Sequence, residues 1–202
     1  MNIEMQERRK YTRMWDRPQY RQYSPGEACA ETAIAALGMK PGESVTDFGC
    51  GTGRACAVFQ RHGLSAWAID HAINCLDPGI GVVLEVACLW QLADSLVLTD
   101  YGFCADVMEH IPPEQVDGVL ACIAKRIATS AFFKISTVPD SCGKLIGETL
   151  HMTVRPPEWW LETVGRVFIV TSSVQPAHGE IEIIARRRVE HESREGAWKM
   201  TG

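Results

Sequence analysis

No stretch of the 202 residues approaches the roughly 20 consecutive apolar positions that a membrane-spanning helix needs. The opening residues, Met1-Asn-Ile-Glu-Met-Gln-Glu-Arg-Arg-Lys10, also lack the apolar centre of a secretory signal. These two absences predict a cytoplasmic protein with no membrane partner. Eight cysteines are present, at 29, 50, 56, 75, 88, 104, 122 and 142, but none forms a C-x-x-C pair or joins a Cys/His cluster at zinc spacing. Most lie in apolar runs, where free cysteine behaves as a small buried hydrophobe, so reduced thiols are expected and no metal is required. No Gly-Lys-Ser/Thr follows a glycine turn, which excludes a phosphate-binding loop. Internal repeats and low-complexity tracts are missing as well. A net charge of -5 argues against broad electrostatic attraction to nucleic acid.

What remains has the composition of an ordinary globular domain, 46% hydrophobic and 22% charged, at a length suited to one α/β unit with a well-buried core. The most informative run is Ser44-Val-Thr-Asp47-Phe-Gly49-Cys50-Gly51-Thr-Gly53-Arg54, which reads as a buried strand ending in an acid, then a tight glycine turn opening a helix. Glycines at 49, 51 and 53 permit positive φ and close approach to the main chain. The start of the next helix exposes unpaired amides. The spacing departs from the G-x-G-x-x-G of dinucleotide sites: the third glycine comes one residue early.

Strands are predicted near 44–48, 66–70, 81–86, 98–104, 131–137, 166–173 and 180–187, and helices near 26–38, 53–62, 113–128 and 156–164. That alternation implies a mostly parallel sheet covered on both faces. Val116, Val119, Leu120, Ile123 and Ile127 recur at helical spacing. The last two strands are joined by Gln-Pro-Ala-His-Gly179, a connection suited to an antiparallel pair. Residues 1–39 form an amino-terminal helical lead-in or lid, 40–188 the main domain, and 189–202 a charged, flexible tail.

Asp47-Phe-Gly-Cys-Gly-Thr-Gly53 resembles the first motif of the class I S-adenosylmethionine-dependent methyltransferases, and Asp100-Tyr-Gly-Phe-Cys-Ala-Asp106-Val-Met-Glu109-His110 resembles the fourth. The resemblance covers about residues 40–187 and implies a Rossmann-like three-layer sandwich around a seven-stranded, mostly parallel sheet with one antiparallel strand near the carboxyl terminus. S-adenosyl-L-methionine is the cofactor it implies. Asp47 and the turn Gly49, Cys50, Gly51 and Gly53 would then hold the methionine end. Asp70, at the tip of the second strand, would accept the ribose hydroxyls, or else it caps a helix. Ala87, Cys88 and Leu89 would lie against the adenine, with no obvious polar partner for its amino group. Asp106 would stand at the carboxyl edge of the sheet beside the reacting methyl.

Asp106 or His110 is a candidate to take a proton from the acceptor, histidine being the side chain best matched to neutral pH. Glu109 and His110 also read as a polar turn capping a helix that starts at Pro112 or Pro113. The stretch from His151 through Pro156-Pro-Glu-Trp159-Trp160 resembles the loop and helix start that closes the acceptor pocket of many small-molecule methyltransferases. His151 is thus a second base or orienter, or a loop histidine holding backbone, and Trp159 a pocket wall. Tyr11, Trp15 and Tyr20, set among Arg8, Arg9, Lys10, Arg13, Arg17 and Arg21, either roof the pocket or pack on the core with a solvated basic face. Aromatics beside arginines also suit bases and phosphates. The chain lacks both the Asn/Asp-Pro-Pro-aromatic turn and the Pro-Cys of DNA-base methyltransferases after the fourth strand. A small-molecule acceptor is therefore expected, with a nucleotide or nucleic-acid acceptor, or a non-catalytic cofactor-binding protein, as the alternatives.

Overall fold

The computed structural model describes residues 3–23, 25–92 and 98–188. The predicted tail, 189–202, lies outside the described residues. Three helices come first: α1 (Ile3–Trp15), α2 (Pro18–Arg21) and α3 (Pro25–Leu37). Strands and helices then alternate: β1 (Ser44–Phe48), α4 (Arg54–Arg61), β2 (Ser65–Asp70), β3 (Leu84–Val86), β4 (Thr99–Ala105), α5 (Val116–Arg126), β5 (Ile127–Ser136), α6 (Pro157–Val167), β6 (Phe168–Val174) and β7 (Glu180–Arg187).

The strands form one sheet in the order β3-β2-β1-β4-β5-β7-β6. Pairs from β3 through β5 are parallel, while β7 runs antiparallel to both β5 and β6. The strand order reverses between β1 and β4, which opens a crevice at the carboxyl ends of those two strands. Both faces are covered. Adjacent β4 residues Phe103 and Cys104, and adjacent β5 residues Phe132 and Phe133, enter opposite cores because successive strand side chains alternate. Val119, Leu120 and Ile123 of α5 and Trp160 and Val164 of α6 fill one core; Ala30 and Ala33 of α3 and Val58 and Phe59 of α4 fill the other.

Boundaries differ from expectation where the tertiary ladder outweighs local periodicity. Ile127 is extended and pairs with Thr99, so α5 ends at Arg126 and β5 begins four residues earlier than predicted. Only residues 84–86 of the run from Gly81 form β3. The preceding loop instead packs Leu76 and Ile80 onto the glycine turn, where a Cβ on Gly53 would lie 2.7 and 2.9 Å from them. Six of the eight cysteines are buried. Among the described residues, no helix is long and apolar enough to cross a membrane.

Candidate active site

Gly49, Gly51 and Gly53 all have positive φ, at 82°, 49° and 73°, so the turn after β1 can be built only with residues that tolerate the left-handed region. What approaches all three glycines is protein, Leu76 and Ile80 in the case of Gly53. A Cβ at Gly49 would meet Val107 at 2.5 Å, and one at Gly51 would meet the Trp15 indole at 2.8 Å. The turn is thus roofed by α1, whose Tyr11, Met14 and Trp15 form a third core with Cys50, Cys56, Ala68, Cys75 and Leu150.

Basic residues hold that roof in place. Arg21 donates to the Trp15 carbonyl at 2.8 Å, to the Asn74 carbonyl and to Asp77 at 3.0 Å, and Asp77 also accepts from Arg54 at 2.7 Å. Lys10 is buried against Glu7 at 2.5 Å, and Arg13 pairs with Glu148. The helix thus packs its aromatics on the core, as expected, but Lys10 does not belong to a solvated basic face.

Two hollows meet beneath α1. The first, about 580 Å³, is lined by Asp70, His71, Ala87, Leu89 and Trp90 on one side and by Glu7 and Tyr11 on the other. The second, about 790 Å³, lies over Asp47, the turn 49–52 and Ala105, and reaches Asp140, Cys142 and His151. Trp15, Tyr20, Gly49, Asp106 and His110 line both.

The charged groups here are unusual. Asp47 is 3% exposed, and burial raises its pKa to about 7, with the Cys56 thiol donating to it at 3.5 Å and Asp70 adding repulsion. Burial likewise raises Asp70 to about 6, against the lowering effect of the Ala72 and Gly51 amides, which donate to its two oxygens at 2.9 and 3.1 Å. A carboxylate offers about four acceptor positions, so Asp70 retains capacity toward the hollow. A buried acid with no cationic partner among the described residues (Asp47) beside one with spare acceptor positions (Asp70) matches the ammonium and ribose of S-adenosylmethionine in charge and hydrogen-bonding sense.

Asp106 is the one non-glycine residue with positive φ (52°) among those described, a strained conformation held by the hydrogen bond that its backbone N–H donates to the Lys134 carbonyl at 2.8 Å. Both its carboxylate oxygens accept from Lys134 Nζ, at 3.0 and 3.1 Å, and Lys134 also bonds Glu180 at 3.1 Å. The carboxylate is therefore committed to Lys134. His110 Nδ1 lies 2.7 Å from the Tyr11 hydroxyl and 3.2 Å from the Leu150 carbonyl, and burial lowers its pKa to about 3. His151 packs edge-on to it at 4.7 Å. Its Nδ1 lies 2.7 Å from the Val138 carbonyl, which can only accept, so Nδ1 carries a proton and, in the neutral ring, the other nitrogen is the acceptor. Glu109 is fully buried beside them and takes the Ser136 amide at 3.0 Å.

The structure therefore brings together Tyr11, Trp15, Tyr20, Asp47, the glycine turn, Asp70, Ala87, Leu89, Asp106, His110 and His151. Trp159 is not brought to the cleft: its phase on α6 turns it to the core, edge-on to Trp160 at 4.9 Å with Arg155 over its ring. Cys88 is buried beneath its neighbours. Glu7, His71, Trp90, Asp140 and Cys142 line the hollows although no local motif marks them. His71, its ring tilted against Tyr11 at 5.1 Å, follows Asp70 directly, which was the one clue to it.

A reversing parallel sheet, a glycine turn after β1 and acids at the tips of β1 and β2 define an α/β enzyme built around a nucleoside cofactor. A family model described as a methyltransferase domain matches residues 20–175, and the chain belongs to that family, the class I S-adenosylmethionine-dependent methyltransferases. No curated protein matches the sequence. Solved structures share the fold. Magnesium protoporphyrin IX methyltransferase from Synechocystis PCC 6803 with bound SAM is 17% identical, with 80% of this chain and 79% of that chain covered and a TM-score of 0.62. The 1,6-didemethyltoxoflavin-N1-methyltransferase of Burkholderia thailandensis, with 1,6-didemethyltoxoflavin and S-adenosylhomocysteine bound, is 20% identical over 82% and 79% of the two chains, TM-score 0.62. The PH0226 protein of Pyrococcus horikoshii OT3 is 11% identical over 86% and 93%, TM-score 0.69.

Proposed function

We propose that the chain transfers a methyl group from S-adenosylmethionine to a small-molecule acceptor held beneath α1, between the glycine turn and the His110–His151 pair. Asp47 faces the cofactor's ammonium, the turn 49–53 cradles its methionine end, and Asp70 accepts the ribose hydroxyls. Ala87, Leu89 and Trp90 pack on the adenine, with Cys88 beneath, and Glu7 supplies the polar partner that β3 lacks. When bound, the cofactor brings an activated methyl and its own leaving group, so the protein's part is alignment and exclusion of water. Trp15 and Tyr20 do the second. Residues 1–39 act as the lid and 40–188 as the catalytic unit. Tyr11 and the Leu150 carbonyl fix the His110 ring, while His151, oriented by Val138, receives the acceptor's proton at its other ring nitrogen.

The observation that carries the small-molecule reading is the state of the amino-terminal cations. Lys10 pairs with Glu7 and Arg21 with Asp77 within the fold, and Arg8 with Glu4 and Arg13 with Glu148 at its surface, so four of the six amino-terminal cations already face a carboxylate and Arg9 and Arg17 alone stay exposed without a carboxylate among these pairs. The hollow is concave and lined by aromatic side chains with a few polar groups, as small-molecule sites are, and two of the similar structures named above are a magnesium protoporphyrin IX and a 1,6-didemethyltoxoflavin methyltransferase.

The test is release of S-adenosylhomocysteine from the full chain across a panel of small hydroxyl, amine and heteroaromatic acceptors, with oligonucleotides as the contrasting panel. His151→Gln should lower turnover by about 10²- to 10⁴-fold, the usual contribution of a positioned acid or base, and leave cofactor affinity unchanged. Turnover only on oligonucleotides would refute the acceptor class. Cofactor binding with no turnover on either panel would make the chain a binding protein.

A further inference from the structure

We propose that Glu109, His110 and His151 form a binding site for a first-row divalent cation at the floor of the acceptor pocket. This rests on the acceptor reading above and deepens it, by reassigning the open ring nitrogens of that pocket from proton acceptance to coordination.

The first observation is convergence. One donor atom from each of Glu109, His110 and His151 lies within 4.8 Å of the other two. Metal bonds of about 2.0–2.2 Å place donors roughly 3–3.5 Å apart, a distance that side-chain torsions can close. The second is an unmet polar atom. Glu109 is 0% exposed, and its Oε1 accepts the Ser136 amide, but its Oε2 is buried with no hydrogen-bond partner. A carboxylate taken out of water is costly unless a proton or a cation compensates it.

The third is the way the rings are held. Nδ1 of His151 is spent on the Val138 carbonyl at 2.7 Å, and Nδ1 of His110 is shared between the Tyr11 hydroxyl at 2.7 Å and the Leu150 carbonyl at 3.2 Å. Metal-ligating histidines are oriented in this manner, with one nitrogen on a main-chain carbonyl and the other presented to the ion. The fourth is rigidity between distant parts of the chain. Thr153 donates its amide to the Glu109 carbonyl at 2.9 Å and its hydroxyl to the Ile111 carbonyl at 2.6 Å, which latches the loop bearing His151 onto the turn bearing Glu109 and His110.

Two imidazoles and one carboxylate suit manganese, iron, cobalt or zinc, whereas magnesium and calcium favour all-oxygen sites. Three protein ligands leave coordination positions open toward the hollow that His110 and His151 line. An acceptor offering an anionic oxygen, or two adjacent oxygen or nitrogen donors, completes the set and is fixed by the cation's charge. The second cluster of potential ligands, Cys50, Asp70 and Cys75, is a weaker candidate because the spare acceptor capacity of Asp70 is already assigned to the cofactor's ribose.

The experiment is titration of chelator-treated full chain with Co²⁺, read by visible d–d absorption, and with Zn²⁺ and Mn²⁺, read by calorimetry. S-adenosylmethionine titration of the same preparations runs in parallel. One equivalent should bind, and Glu109→Gln and His151→Ala should each weaken it at least about tenfold, a loss that even outer-shell changes cause. Because Glu109 is buried, retained S-adenosylmethionine affinity certifies that each variant is folded, and the more accessible His151 provides the second, milder lesion. Absence of binding, binding indifferent to both changes, or a thiolate-to-cobalt charge-transfer band would overturn the site. Any of these with cofactor affinity intact leaves the methyltransferase reading standing, with His151 acting directly as base.

Discussion

Replacing Asp47 by asparagine should make the cofactor-free protein more stable and its cofactor site weaker. Asp47 is 3% exposed at the end of β1, has a thiol as its side-chain donor, and stands near the like charge of Asp70. Burial lifts its pKa from 3.8 to about 7. At about 1.4 kcal/mol per pH unit, this sets an upper limit of about 4 kcal/mol on the cost of keeping it ionised in the fold. The sign follows from the raised value: the folded state holds the proton more tightly than the unfolded chain, so stability is full below about pH 4 and is lost as pH rises through about 7. A neutral amide in its place removes that dependence. Thermal unfolding at pH 8 should therefore show the Asp47→Asn variant melting roughly 5–15 °C higher, at about 2–4 °C per kcal/mol for a domain of this size, with the gap closing toward pH 4. Calorimetry should show S-adenosylmethionine bound about 30-fold or more weakly, since truncating one partner of a buried charge pair costs about 2–5 kcal/mol. A variant that melts lower at pH 8, or binds the cofactor as tightly as the parent, would refute the reasoning.

Gly51→Ala forces a Cβ to within 2.8 Å of the Trp15 ring at a φ of 49°, so the lid should lift; we expect a loss of about 2–4 kcal/mol and a red shift in tryptophan emission, and unchanged melting and emission would count against the packing described. Asp70→Ala removes the acceptor for the Gly51 and Ala72 amides and for the ribose, and its cofactor affinity should fall about 100-fold or more; intact affinity would remove Asp70 from the site. Lys134→Met strands Asp106 and Glu180 without their shared cation and should destabilise by about 3–5 kcal/mol in denaturant titration; a change under about 1 kcal/mol would show the network to be solvated.

The sheet was legible because its signals are local. An apolar run ending in Asp47, a second ending in Asp70 and a third leading into Asp106-Val-Met-Glu109-His110 mark strand tips whatever the rest of the chain does. The glycine spacing likewise announces a turn, although contacts with Val107, Trp15, Leu76 and Ile80 account for the three glycines as much as a ligand does. Long-range packing was not legible. Nothing near Lys10 distinguishes a buried, Glu7-paired cation from a solvated one, and nothing near Lys134 announces that it will tie up Asp106. Trp159 and Trp160 are adjacent on one helix, and only the docking of α6 decides what each touches. The junction at Ile127 defied periodicity for a related reason: its side chain fits the helical stripe of α5, but its backbone joins the β4 ladder.

The account stands most directly on calorimetric titration of the full chain with S-adenosylmethionine and, separately, S-adenosylhomocysteine. Micromolar or tighter binding of both at one site, weakened in parallel by Asp47→Asn and Asp70→Ala, is the predicted result. A folded protein that binds neither would contradict the assignment of the glycine turn and its two acids as the cofactor site.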